Sequence, residues 1–261
     1  MRKNRIVIKV GSAILVENQK VNLVRIEALA QLISELSATY EVILVSSGAV
    51  ASGFTALELD KKILANKQAL AAIGQPLLMQ IYAKALQPYG ILSAQVLFSG
   101  YDLDSRKRTQ NARNTMEVLL KNKVLPIINE NDVTTTGELM FLGFGDNDQL
   151  SAYVTHFFDA SLLAILSDID GYYEENPKEN PNAKIRKIVT EISQAELQAE
   201  ATPNNAFATG GIVTKLKAAQ FLLENGREMF LSSGKDLNIL KDFLLHSKHS
   251  KGTLFTARSL S

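Results

Sequence analysis

The chain contains no cysteine. That absence excludes disulfide staples, thiol catalysis and thiolate metal sites together, and it suits a reducing compartment. An excess of either charge is also lacking. The formal net charge is +1, with acidic and basic residues interspersed, so bulk charge directs the chain neither to nucleic acid nor to an anionic membrane surface. No window approaches the roughly 20 apolar residues of a membrane helix. The basic start, Met1 to Arg5 before Ile6-Val-Ile8, has the look of a secretory signal, but Lys9 and Gly11 break the apolar stretch too early for one. The expectation is a cytoplasmic protein with no membrane or nucleic-acid partner.

Histidine is scarce. His156 lies beside Val154 and Phe157 and fits a helix face, while His246 and His249 have no partners at metal-ligand spacing, so no zinc site is expected. Neither the dinucleotide pattern G-x-G-x-x-G nor the phosphate pattern G-x-x-x-x-G-K-[ST] occurs, and G-x-S-x-G is absent too. A hydrolase nucleophile elbow is excluded, and any nucleotide site must be of another kind.

What is present is a rhythm of short apolar runs and helical patterns over 261 residues. Strands are expected at Arg5–Val10, Glu41–Val45, Ile91–Phe98, Val124–Ile128, Leu162–Leu166 and Glu228–Leu231. Helical spacing recurs over Leu23–Ser37, Thr109–Leu120, Leu150–Phe158 and Val213–Leu223. Residues after about 235 add a helix and a short terminal strand. Alternation of this kind predicts an α/β fold, a three-layer αβα sandwich around a mainly parallel sheet. Tyr172–Ala183, with two Asn-Pro pairs, reads as a turn-rich loop inside a single domain.

In open parallel sheets, ligands bind beyond the carboxyl ends of the strands. Here those ends read Lys9-Val-Gly-Ser12, Ser46-Ser-Gly48, Asn129-Glu-Asn-Asp132 and Ser167-Asp168, all small or polar. Gly11-Ser12, Gly48-Ala49 and Gly210-Gly211 could let backbone N–H groups approach an anion, or could simply make tight turns. Lys9, inside an apolar strand, is either an edge lysine reaching for water or a phosphate ligand. Lys215 is either a solvated helix lysine or its counterpart, one turn into the helix that follows Thr209-Gly-Gly211. Gly145-Asp-Asn-Asp148 could be a helix cap or a site.

Taken together, Val7-Ile-Lys-Val-Gly-Ser12, Val45-Ser-Ser-Gly-Ala49, Lys67 to Gln75, Asn111-Ala-Arg113, Ile128 to Asp132, Phe144 to Asp148 and Thr209 to Lys215 resemble the amino-acid kinase family. The similarity spans nearly the whole chain, and the Asn-Glu-Asn-Asp and Gly-Asp-Asn-Asp segments are closest to members that phosphorylate the side-chain carboxylate of L-glutamate, the first step of proline synthesis. The resemblance implies an amino-acid-binding lobe over about 1–160 and a nucleotide-binding lobe over about 161–261. It implies ATP with Mg²⁺, a homo-oligomer (dimer or tetramer) and inhibition by proline. No protein metal ligands are implied.

By position, Lys9, Lys215 and Asp148 would be catalytic, the lysines neutralising the moving phosphoryl and Asp148 orienting them. Ser47, Gly48, Asp132, Asp146 and Asn147 would hold glutamate. Lys9, Gly11, Ser12, Ser167, Asp168 and the loop Thr209, Gly210, Gly211, Ile212, Val213, Thr214, Lys215 would contact the nucleotide. Ser167 replaces the threonine and Gln149 the asparagine usual in the family, both mild changes. Many relatives add a C-terminal PUA domain, and none is expected here.

The chemistry suits these residues. A carboxylate acceptor is already ionised at neutral pH, so no general base is needed, and phosphoryl transfer depends on positioning and charge neutralisation. Thr134–Gly143 could form a lid over the acyl phosphate or a sheet-edge hairpin. Other readings are a kinase for N-acetylglutamate, aspartate or a nucleoside monophosphate, and a non-catalytic amino-acid sensor. Asp132 and Asp146 favour an acceptor with a free ammonium group, and retention of Lys9, Asp148 and Lys215 favours turnover.

Overall fold

A computed structural model describes residues 4–134, 147–177, 180–198 and 211–257. The N-terminal half begins with β1 (Asn4–Val10), α1 (Ser12–Leu15), the two-residue strands β2 (Val16–Glu17) and β3 (Lys20–Val21), and α2 (Leu23–Leu36). β4 (Tyr40–Ser46), α3 (Ala49–Phe54) and the long α4 (Leu64–Leu86) follow. Next come β5 (Ser93–Phe98), α5 (Gly100–Asp104), α6 (Arg106–Lys121) and β6 (Leu125–Glu130). The second half contains α7 (Asn147–Phe157), β7 (Leu162–Ser167), β8 (Ile188–Val189), α8 (Gln194–Gln198), α9 (Ile212–Glu224), β9 (Glu228–Ser233), α10 (Asn238–His246) and β10 (Thr253–Phe255).

The main sheet has the order β5-β6-β4-β1-β7-β9-β10-β8. Every pairing in it is parallel except that of β10 with β9. The expected αβα sandwich is thus present, and its strands read as apolar runs because both faces are covered. The period of two divides them. Val7, Ile43, Val45, Ile128, Leu163, Ile165 and Leu231 pack with α6, α7 and α9 on one face. Ile8, Leu44, Ile127, Ala164 and Phe230 pack with α2, α4 and α10 on the other.

Register fixes the position of Lys9. It stands opposite Val45 on one side and Ile165 on the other, so β1 is central and the edge-lysine reading is excluded. Lys9 also shares the parity of Val7, which turns its side chain toward the face that carries α7. From β1 the chain crosses to β4 on one side, and β7 flanks the other, so the carboxyl end of β1 is a topological switch point.

Two glycines set the helix layer near that end. A Cβ on Gly74 of α4 would lie 1.8 Å from the Ala49 carbonyl oxygen, and one on Gly53 of α3 would lie 1.9 Å from that of Leu70. Only residues without a side chain let α3 and α4 approach so closely.

Candidate active site

A cleft of about 540 Å³ opens at the carboxyl ends of β1, β4, β6 and β7. Its lining brings together Lys9, Gly11, Ser12, Ser47 and Gly48 from the first half of the chain. Asp132, Asn147 and Asp148 line it too, with Ser167, Asp168, Gly211, Thr214 and Lys215 from the second half. Ile212 is buried in the core and Val213 packs against it; Ile212 also borders an adjacent depression of about 160 Å³ beside Asp168. Asp146, Thr209 and Gly210 lie outside the described residues, as does the expected lid or hairpin beyond Thr134.

Asp148, in the first turn of α7, is the hub. It is 1% exposed. Lys9 donates to one of its carboxylate oxygens, and Lys215 to the other at 3.0 Å. The Thr214 hydroxyl donates to that second oxygen, also at 3.0 Å. Burial opposes ionisation of Asp148, yet the ammonium groups of Lys9 and Lys215 outweigh it and hold the carboxyl below its ordinary value. Two ammonium groups against one carboxylate leave the cluster one positive charge in excess, a fixed attraction for an anion in a largely desolvated place.

Glycines flank both ammonium groups. A Cβ on Gly11 would come within 3.3 Å of Lys9 Nζ. Gly211 caps α9 with φ of +86°, and a Cβ there would be both strained and 3.5 Å from Lys215 Nζ. Lys215 Nζ in turn donates to the Gly211 carbonyl at 3.2 Å.

The other end of the cleft is polar rather than cationic. Asn147 donates to Ser47 Oγ at 2.7 Å and to Asn129 Oδ1 at 3.1 Å. Gly48 adopts φ of +117° at the start of α3, a turn that carries the chain sharply away from Ser47. Burial pushes the Asp132 carboxyl up, with Lys67 pulling the other way. Such a carboxylate is poised to gain from a cation placed beside it. On the opposite flank, Ser167 Oγ donates to Asp168 Oδ1 at 3.1 Å.

Lys61, Lys67, Asn129 and Glu130 also line the cleft, and the residue patterns assigned none of them a role there. Lys67 opens a helical segment, and only the packing of α4 against α3 brings it toward Asp132. Asn129 and Glu130 fall at the end of an apolar strand among the polar strand ends, which was the one available signal.

Comparisons with known proteins agree with this architecture. Residues 4–233 match the model of the amino acid kinase family. A glutamate 5-kinase of Leishmania donovani is 63% identical over 254 residues, 97% of this chain and 95% of that protein. A glutamate 5-kinase of Wolinella succinogenes is 60% identical over 253 residues, 96% of this chain and 97% of that protein. Among solved structures, the UMP kinase of Ureaplasma parvum superposes with a TM-score of 0.67 at 20% identity, covering 98% of this chain and all of its own; that likeness shows the fold.

Proposed function

The chain belongs to the amino acid kinase family, and on that premise we propose that it transfers the γ-phosphoryl group of ATP to the side-chain carboxylate of L-glutamate, forming glutamyl 5-phosphate. The observation that carries the reading is Asp148, buried between Lys9 and Lys215 at the switch point of a parallel sheet. The transferring group would sit between the two ammonium groups. They arrive from different elements, β1 and α9, and Asp148 holds them at a fixed separation before the substrates bind.

The acceptor needs no base. Its attacking oxygen already carries the charge, and the barrier is the approach of one anion to another. Lys9 and Lys215 lower that barrier by stabilising charge on the equatorial oxygens of the phosphoryl group. The cleft's polar end holds the amino acid: Asp132 faces its α-ammonium group, with Ser47, Gly48, Asn147 and Asp146 completing the pocket. The opposite flank, Gly11, Ser12, Ser167, Asp168 and Gly211 to Lys215, with Thr209 and Gly210 before them, holds the nucleotide phosphates. Residues up to about 160 therefore form the amino-acid lobe and those from about 161 the nucleotide lobe.

Among the described residues no group of three or more His, Asp or Glu side chains is placed to hold a metal ion. The phosphate oxygens of the nucleotide would carry Mg²⁺, which supplies further charge neutralisation. No described helix is long and apolar enough to cross a membrane, consistent with an enzyme of small, water-soluble substrates. The reading extends to inhibition by proline and to assembly as a dimer or tetramer, checked by inhibition kinetics and by light-scattering mass.

The test is an acceptor panel. Purified protein with ATP, Mg²⁺ and hydroxylamine should give hydroxamate with L-glutamate. Product only with N-acetylglutamate or aspartate would reassign the acceptor, and product with none would point to a sensor or a nucleotide kinase.

A further inference from the structure

Behind the acceptor pocket runs a chain of side-chain amides whose orientation is not a matter of choice. The backbone N–H of Glu130 donates to Asn129 Oδ1 at 2.9 Å. A backbone N–H can only donate, so the Asn129 oxygen must face it and the Asn129 amide nitrogen must point the other way. That nitrogen donates to Gln75 Oε1 at 3.0 Å. Gln75 Nε2, left as the donor end, approaches Gln95 Oε1 at 3.3 Å. On the cleft side, Asn129 Oδ1 also accepts from Asn147 Nδ2.

The direction then propagates into the pocket. Asn147 Nδ2 has two protons, and Asn129 and Ser47 take both. Asn147 Oδ1 is left buried and accepts no hydrogen bond among the described residues. That oxygen keeps an acceptor position unused by the described residues, in a side chain that lines the cleft. Ser47 Oγ has already accepted, so its own proton is available to donate. The pocket thus offers one acceptor and one donor in fixed places, matching an α-ammonium group and a carboxylate on the same carbon.

We propose that Gln75 is a positioning residue for the amino-acid substrate, anchoring Asn129 and through it holding Asn147 against Ser47. Gln75 is 7% exposed and does not line the cleft. It faces a separate cavity of about 300 Å³ between α4, β5 and the segment after β6. Its place depends on Gly74, whose missing side chain lets α4 close on α3. Without the Gln75 acceptor, Asn129 Nδ2 is a buried donor with nothing to bond. The Glu130 N–H still holds the Asn129 oxygen in place, so the stranded nitrogen is relieved only by a shift of the whole side chain, which loosens its bond to Asn147.

The proposal rests on the glutamate-kinase reading, and kinetics of Gln75 variants separate the two. Gln75→Leu and the flexible, similarly sized Gln75→Met remove the acceptor. Each should raise KM for glutamate on the order of tenfold and lower the melting temperature, because a buried donor is left unpaired, with KM for ATP little changed. Gln75→Glu keeps the oxygen that Asn129 needs and should return KM for glutamate to near the wild-type value. A folded Leu or Met variant with wild-type KM for glutamate overturns the proposal, as does a Glu variant impaired as badly as they are. If KM for both substrates rises together, Gln75 is structural only. Wild-type protein that makes no glutamyl hydroxamate overturns the kinase reading and this proposal with it.

Discussion

Replacing Asp148 by Asn removes one charge while keeping the side chain's size. In the wild type the carboxylate accepts from two ammonium groups and a hydroxyl while 1% exposed. An amide has one oxygen to offer, and its nitrogen would face one of the lysines donor to donor. Breaking a buried ion pair by removing one partner costs about 3–5 kcal/mol. Both ammonium groups border the open cleft and regain some water, so the lower end of that range is expected. Activity should fall further than stability: with the lysines no longer held, kcat should drop on the order of 10²–10³-fold, with a smaller effect on KM for glutamate. The pH dependence gives a sharper signature. The Asp148 carboxyl sits below its ordinary value in the folded protein, so its stabilisation is fully present above the unfolded value of about 3.9 and is lost as pH falls through the folded one. Thermal unfolding of wild type and Asp148→Asn should therefore differ by a constant amount from neutral pH down to about pH 5, then converge below about pH 4. A gap independent of pH throughout, or a variant with wild-type kcat, would refute the reasoning.

Lys215→Ala should lose about 3–4 kcal/mol of transition-state stabilisation, on the order of 10²–10³ in kcat, as measured by steady-state turnover with purified protein. Asp132→Asn should raise KM for glutamate yet raise the melting temperature of the ligand-free protein. Burial holds the Asp132 carboxyl above its ordinary value, so the ionised wild type is penalised at neutral pH, and the advantage of Asn should disappear below about pH 4. Gly74→Ala forces a Cβ to within 1.8 Å of a carbonyl oxygen and should destabilise by about 1–3 kcal/mol or more, read as a lowered melting temperature. Gly211→Ala should lower the melting temperature by straining the cap of α9, because φ of +86° resists a side chain there.

Strands such as β1 and β7 were legible because burial on both faces writes them as apolar runs, and their carboxyl ends were legible because the polar residues cluster there. Lys9 itself stood out only as ambiguous. Its partner Asp148 lies 139 residues away, and no local pattern carries a contact of that span; sheet register and the parity with Val7 decide it. The long α4 was the least visible element. Pro76 lies inside it, where proline ordinarily argues for a helix end, and apolar residues such as Ile73, Leu77 and Ile81 continue around the helix beyond its buried stripe. Gly74 could be read as a possible turn, whereas its role is close contact with α3. The amide chain through Gln75, Asn129 and Asn147 was invisible for the same reason as the clamp, since 54 residues separate Gln75 from Asn129. The resemblance to a kinase family supplied roles that residue chemistry alone left open, while Lys61 and Lys67 came into view only with the folded cleft.

The claim at the centre is that the side-chain carboxylate oxygen of glutamate attacks the γ-phosphorus of ATP. Glutamate labelled with heavy oxygen in that carboxylate tests it directly. Phosphoryl transfer puts one labelled oxygen in the acyl-phosphate bridge, and hydroxylamine attack at the acyl carbon then releases it with inorganic phosphate. Phosphorus NMR of the released phosphate should show one heavy oxygen per molecule, in step with hydroxamate formed. Unlabelled phosphate accompanying ADP would mean that water is the acceptor, and would contradict the account.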